Sequence, residues 1–295
     1  MTRVLVIRHG AFGDIVLAFA GFAAIRAHHP RAHITLMTTR PFAAMMAQAP
    51  WFDEVLIDDK PDWWNLAGVW RLRGQLRGFD MVYDLQNSGR SCRYFALAGR
   101  PVWSGTAKGC ALRDTNPARM TLHARERMEA QLAQAGMALP LPAPDLGWLS
   151  GDVSDLELPT GYMVLVPGAA PHRPEKRWPV DHFKALAAGL NRPFVVVGSR
   201  AEAGLGAEIG GINLAGRTDF FQLADVLRGA ACAVGNDTGP MHLAAALGTP
   251  CVSLFSNASD PAYSAPRYPD GGWPRILRAP HLAGLAVAQV REALP

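Results

Sequence analysis

The chain has 295 residues, of which 49% are hydrophobic and 18% charged, with a net charge of +4. This length leaves room for two domains of ordinary size, and the composition excludes a disordered chain. A pI near 9.0 without any dense Lys/Arg run suits an anionic small ligand or an acidic membrane surface, and excludes a nucleic-acid coat.

The first half reads as alternating strands and helices. Arg3–Arg8 is a buried strand, followed by the turn His9-Gly10-Ala11-Phe12-Gly13-Asp14 and a helix from Asp14 to His28 that Pro30 stops. Strands are predicted over 33–38, 54–57 and 80–85, and helices over 41–48 and 63–77. The segment 137–159 holds Pro140, Pro142, Pro144 and Pro159 without periodicity and reads as a linker. Beyond it, strands are predicted over 162–166, 194–197, 232–234 and 251–255. Helices are predicted over 179–190, 202–210, 220–228, 241–247 and 283–293. The expected architecture is α/β with parallel sheets: an N-terminal Rossmann-like domain over 1–155 and a C-terminal one over 156–295, facing a cleft. The terminal helix 283–293 is placed as an element that packs back on the N-terminal domain.

The four cysteines, Cys92, Cys110, Cys232 and Cys251, form no C-x-x-C pair and fit no zinc spacing, so they read as reduced thiols and no metal site is expected. The N-terminus enters a strand with no signal-peptide pattern, and no segment has the roughly 18 apolar residues of a spanning helix. The expectation is a cytoplasmic protein with peripheral contact at most to the inner membrane.

Ligands of open α/β sheets bind beyond the carboxyl ends of strands, so the loops after strands carry the chemistry. In the first loop Gly10 and Gly13 allow close backbone approach, but their spacing is not G-x-G-x-x-G. Asp14 is read either as a helix cap or as a general base that takes a proton from an attacking hydroxyl. The second loop, 167–179, places Gly168, Ala169, His172, Arg173, Lys176 and Arg177 ahead of a helix, where cations and free amides meet an anion. The third, Gly235 to Pro250, sets Asp237, Thr238 and Gly239 at the positive end of an Ala-rich helix. A diphosphate fits there without a metal. His242, one turn in, is read equally as a packed histidine or a contact residue. A P-loop, a G-x-S-x-G elbow and an aromatic-plus-basic nucleic-acid platform are all missing from the sequence.

With these loops placed, the sequence resembles glycosyltransferase family 9, the lipopolysaccharide heptosyltransferases. The resemblance rests on G-x-x-G-D after the first strand, Asp84-Leu85-Gln86-Asn87, Lys176-Arg177-Trp178-Pro179, and Asn236-Asp237-Thr238-Gly239-Pro240-Met241-His242 with the following Ala-Ala-Ala-Leu-Gly-Thr-Pro. It implies a GT-B fold and an inverting, metal-independent transfer, with heptose moved from ADP-heptose to inner-core lipopolysaccharide or a related glycan. It implies no cofactor beyond the nucleotide-sugar co-substrate, and no obligate protein partner. On this resemblance Asp14 is the base and Lys176 neutralises the leaving diphosphate. Gly168, Ala169, His172, Arg173, Asp237, Thr238, Gly239, Met241 and His242 line the donor, and Gly13, Gln86, Asn87 and Arg90 the acceptor. Arg71, Arg73 and Arg77 would meet acidic lipid headgroups. Relatives carry hydroxyl or aromatic residues where this chain has Ala170-Pro171-His172, and Glu202 and Asn213 are the candidates for the ribose contact. A transferase using another nucleotide sugar, and a homologue that binds one without turnover, are the alternatives.

Overall fold

A computed structural model describes residues 1–295. It divides into two units, Met1–Pro144 and Asp145–Pro295, with the division inside the Pro-rich segment 137–159. Each unit is built on a six-stranded parallel sheet.

In the first unit, β1 (Arg3–Ile7) is central. It pairs on one side with β2 (His33–Thr38) and on the other with β4 (Met81–Asp84), Leu5 lying opposite Thr35 and Val82. Val4, Leu5, Val6 and Ile7 are all fully buried, because both faces of an inner parallel strand are covered. The predicted helix over 14–28 is two helices, α1 (Phe12–Leu17) and α2 (Phe19–His28), which meet at Ala18. The first begins two residues earlier than expected, with Ala11 as its N-cap. The unit continues through α3 (Arg40–Met46), β3 (Glu54–Ile57) and α4 (Leu66–Leu76). After β4 come α5 (Gly89–Leu97), β5 (Val102–Gly105), β6 (Leu112–Arg113) and α6 (Ala124–Gln134), none of them assigned from the sequence. The strand order β3-β2-β1-β4-β5-β6 is that of a Rossmann sheet, with its switch point between β1 and β4.

The second unit repeats the plan. It runs β7 (Met163–Val166), α7 (Val180–Ala188), β8 (Phe194–Val196), α8 (Ala203–Ile209), β9 (Ile212–Asn213) and α9 (Phe220–Arg228). It closes with β10 (Cys232–Asn236), α10 (Gly239–Ala246), β11 (Cys251–Phe255), α11 (Pro261–Ser264), β12 (Arg275–Arg278) and α12 (Val287–Glu292). The order β12-β11-β10-β7-β8-β9 puts the switch point between β7 and β10. The final helix, expected to return to the first half, buries Val290 in its own unit's core with Phe183 and Leu186 of α7. Val287 and, just beyond the helix, Leu294 pack against the same core. All four cysteines are free thiols.

Candidate active site

The three loops singled out from the sequence all follow strands at the two switch points. In the first unit the chain leaves β1 through Arg8, His9 and Gly10. Gly10 has φ +99°, and a Cβ there would sit 2.4 Å from the Phe42 ring, so the turn requires glycine. Asp14 is the third residue of α1 and reaches back so that its Oδ2 accepts from the Ala11 amide at 3.1 Å. Its other oxygen lies 3.0 Å from Arg8 Nη2, and the side chain remains 47% exposed. Arg8 also donates to the carbonyls of Asp14 (3.2 Å) and Leu85 (2.7 Å), which ties the start of α1 to the end of β4. The carboxylate is thus oriented from one side and open on another, as a base for an external hydroxyl must be. Gly13, next to it, is buried.

The segment after β4 supports this loop. Gln86 Oε1 accepts from the His9 amide at 3.0 Å. Asn87 spends both ends of its amide within the unit: Nδ2 donates to Gln131 Oε1 at 2.7 Å and Oδ1 accepts from the Thr106 amide at 2.9 Å. Arg90 donates to the Tyr94 hydroxyl and the Pro61 carbonyl and lies 4.7 Å over the Trp63 ring. Of the expected acceptor residues, Asn87 and Arg90 therefore serve internal contacts, while Gly13 and Gln86 adjoin the Asp14 loop. Asp84 is fully buried; its Oδ1 accepts from the amides of Gln86 and Asn87. Burial pushes its carboxyl up to about 6, against those hydrogen bonds. Behind the loop, Asp58 accepts from the Tyr94 hydroxyl at 2.7 Å and lies 2.9 Å from His9 Nε2. Burial opposes its charge, but the contacts from His9 and Tyr94 hold its carboxyl below the usual range.

In the second unit Asn236, the last residue of β10, joins the other two loops. Its Nδ2 donates to the carbonyls of Pro167 (2.8 Å) and Gly168 (3.3 Å), and its Oδ1 accepts from the Trp178 amide at 2.9 Å. Trp178 is 2% exposed and donates from Nε1 to the Leu285 carbonyl, anchoring the loop in the core. Two residues earlier, Lys176 Nζ reaches Asp237 Oδ2 at 2.6 Å. Ser259 Oγ donates to the same oxygen at 2.8 Å, and His242 Nε2 lies 3.6 Å from Oδ1. Burial alone would raise the Asp237 carboxyl; His242 and Lys176 outweigh it and hold the group well below the ordinary range. Thr238 is the N-cap of α10 without a side-chain cap bond; Pro240 has no N–H and the Met241 and His242 amides turn back to the Thr238 carbonyl, so the amides of Thr238 and Gly239 are the donors left at the positive end of the helix.

Lys176, Asp237, Thr238, Gly239 and His242 are thus brought together. His242 is both packed and in contact: it is 6% exposed and faces Asp237. Gly168 and Ala169 border the cluster through Asn236 and Arg177, which donates to the Ala169 carbonyl. Three expected residues stand differently. His172 is exposed on the loop. Arg173 is engaged by Glu175 and the Ala258 carbonyl. Met241 is fully buried, its side chain inside the fold. Of the ribose candidates, Asn213 is occupied by the Ala203 carbonyl and the Ala215 amide. Glu202 instead leans over Gly168, where a Cβ would come within 1.9 Å of Oε1, at the carboxyl edge of β7. Arg8, Asn236 and Ser259 were not singled out from the sequence. Only Asn236 carried a signal, its place in the Asn-Asp-Thr-Gly-Pro run.

Two Rossmann-like units, each with polar loops at its switch point, make up the α/β architecture of the GT-B class. The model of glycosyltransferase family 9 (heptosyltransferase) matches residues 69–269, and the chain belongs to that family. It is 27% identical to lipooligosaccharide heptosyltransferase 2 of Haemophilus ducreyi, over 94% of this chain and 91% of that protein. The structure of E. coli ADP-heptose lps heptosyltransferase II superposes with a TM-score of 0.77 at 23% identity, covering 99% of this chain and 97% of the other. E. coli heptosyltransferase WaaC with ADP-2-deoxy-2-fluoro heptose gives 0.76 at 22% identity, covering 99% and 98%.

Proposed function

We propose that this glycosyltransferase moves heptose from ADP-heptose to a lipopolysaccharide acceptor, at the cytoplasmic face of a membrane, by a single inverting displacement. The observation that carries the reading is the Lys176–Asp237 cluster at the start of α10, where a lysine cation adjoins the amides of Thr238 and Gly239. The names of the relatives, which include lipopolysaccharide and lipooligosaccharide heptosyltransferases, support the donor and acceptor classes.

Asp14 takes the proton of the acceptor hydroxyl. The hydroxyl oxygen forms its bond to the anomeric carbon as the bond from that carbon to the diphosphate oxygen breaks, and ADP leaves with the electron pair. Lys176 turns from Asp237 to the diphosphate, and the amides of Thr238 and Gly239 share the charge. Asp237 then accepts from sugar hydroxyls, and Glu202 from the ribose. The charge is met by the protein's own cations and amides, so the transfer proceeds with divalent ions chelated.

Titration calorimetry with ADP-heptose and with UDP- and GDP-sugars, followed by product analysis with a lipopolysaccharide acceptor, tests the reading. Preferential binding of ADP-heptose and transfer in EDTA are expected. Tight binding of a UDP- or GDP-sugar in its place would overturn the donor assignment, and binding without transfer would overturn the catalytic one.

A further inference from the structure

Asp237 receives two donors on a single oxygen. Lys176 Nζ lies 2.6 Å from Oδ2 and Ser259 Oγ lies 2.8 Å from the same atom, while His242 Nε2 stands off at 3.6 Å from Oδ1. The Asp237 amide is spent on the Leu254 carbonyl at 3.1 Å. The carboxylate is nearly buried, so little water reaches it. When the lysine moves away, the serine hydroxyl is the donor left within hydrogen-bond distance.

Ser259 lies between β11 and α11, in a loop that is pinned at several points. The Ser259 amide donates to the Ser256 carbonyl at 3.3 Å, the Ala258 amide to Ser256 Oγ at 3.2 Å, and the Asn257 amide to the Pro280 carbonyl at 3.3 Å. Ser256 itself is buried. From the loop before α7, Arg173 donates to the Ala258 carbonyl, next to Ser259, and Glu175 balances its charge. The helix that follows has no use for the Ser259 hydroxyl, because Asp260 caps α11 by accepting from the Ala262 amide at 3.0 Å. Ser259 is half-buried and its proton has a route to water, yet it is given to a carboxylate 22 residues away in sequence.

The two donors on Oδ2 differ in what they are able to do. Lysine carries its charge on a long flexible stem and can exchange one anion for another. A serine hydroxyl is neutral and short, and a pinned loop keeps it in place. A nearly buried carboxylate that lost both donors would bear the full cost of an unpaired buried charge. With the serine in place it keeps one bond throughout the exchange.

We propose that Ser259 is a positioning residue whose hydroxyl keeps Asp237 bonded when Lys176 leaves that carboxylate for an anion. That the anion is the donor diphosphate rests on the function proposed above; the standby bond rests on the geometry at Asp237. Arg173 then acts through the loop it pins at Ala258.

A double-mutant cycle by denaturant titration of the full chain tests the bond without any substrate, because Lys176→Ala mimics the state in which the lysine has gone. Ser259→Ala should raise the unfolding equilibrium constant about fivefold in the wild type and about 30-fold in the Lys176→Ala background. Ser259→Thr, which keeps the hydroxyl, should restore stability in both. The ratio of the two losses sets the effect on binding: calorimetry should show ADP and ADP-heptose about sixfold weaker in Ser259→Ala. Adenosine, with no diphosphate to draw the lysine, should bind unchanged, and Ser259→Thr should recover both nucleotide affinities. If the double variant does not fold, the calorimetry of Ser259→Ala and Ser259→Thr, which keep Lys176, decides. Equal stability losses in the two backgrounds, ADP affinity unchanged in Ser259→Ala, or adenosine weakened as much as ADP would each overturn the proposal. The stability coupling in a wild type that binds neither ADP nor ADP-heptose would uphold the standby bond and overturn the assigned donor instead.

Discussion

Lys176 Nζ sits 2.6 Å from Asp237 Oδ2, and the two side chains are 16% and 6% exposed. The cation assigned to the donor is thus already paired with the carboxylate assigned to the sugar. Removing it strands a nearly buried charge. Lys176→Ala should cost about 3 kcal/mol of stability and should weaken ADP-heptose binding and slow transfer. Adding Asp237→Asn to it should recover much of the stability and none of the turnover, because the coupling between neighbours is not additive. Denaturant titration beside steady-state kinetics checks both. Unchanged kinetics in the single variant would remove Lys176 from the site.

Arg8 holds Asp14 through two contacts, one to its carbonyl and one to its carboxylate, and is itself anchored on the Leu85 carbonyl. A lysine keeps the charge and loses the fork. Arg8→Lys should lower kcat by about 10- to 100-fold through misplacement of the base, with the dissociation constant for ADP-heptose unchanged. A matching loss of donor affinity would show that Arg8 acts by supporting the fold as a whole.

Two buried carboxyls should give the chain opposite pH signatures. Asp84 is raised to about 6 by burial, so between about pH 4, its ordinary value, and pH 6 the folded state binds the extra proton. Stability then falls as pH rises through that window, by about 3 kcal/mol at most, and levels off above it. Asp84→Asn keeps an oxygen for the amides of Gln86 and Asn87 and should flatten this slope. Asp237 is depressed, so its contribution is complete above about pH 4 and is lost as pH falls further. Thermal melts from acid to neutral pH, with and without Asp84→Asn, resolve the first effect.

Asn236 connects β10 to both neighbouring loops at full burial. Asn236→Ala leaves the Trp178 amide and the Pro167 carbonyl unpaired, at a cost of about 3 kcal/mol. Because those bonds place Lys176, donor affinity should fall with stability. Hydrogen exchange at the Trp178 amide should show lost protection.

Most of the sheet was legible in the sequence. The central strands are continuous apolar runs, and β2, β3 and β11 fall over the residues expected, 33–38, 54–57 and 251–255. The short strands β5, β6, β9 and β12 were not, because two to four residues hold their place through pairing and carry little pattern of their own. The break at Ala18 escaped notice because α1 and α2 are apolar on nearly every side and periodicity is blind there. At the site, Asp14, Lys176 and Asp237 were visible as charges beside glycine and proline at strand ends. Arg8 and Ser259 were not: the first acts by reaching Leu85, the second by reaching Asp237 from beyond β11. Such pairings belong to the topology, which local patterns do not contain.

The central claim is that Asp14 is the base for the transfer. Its most direct test is Asp14→Asn, measured for heptose transfer from ADP-heptose and for donor binding by calorimetry. The account predicts turnover reduced by about 10²- to 10⁴-fold with the donor dissociation constant unchanged within error. Transfer at the wild-type rate, or loss of donor binding in a folded variant, would contradict it.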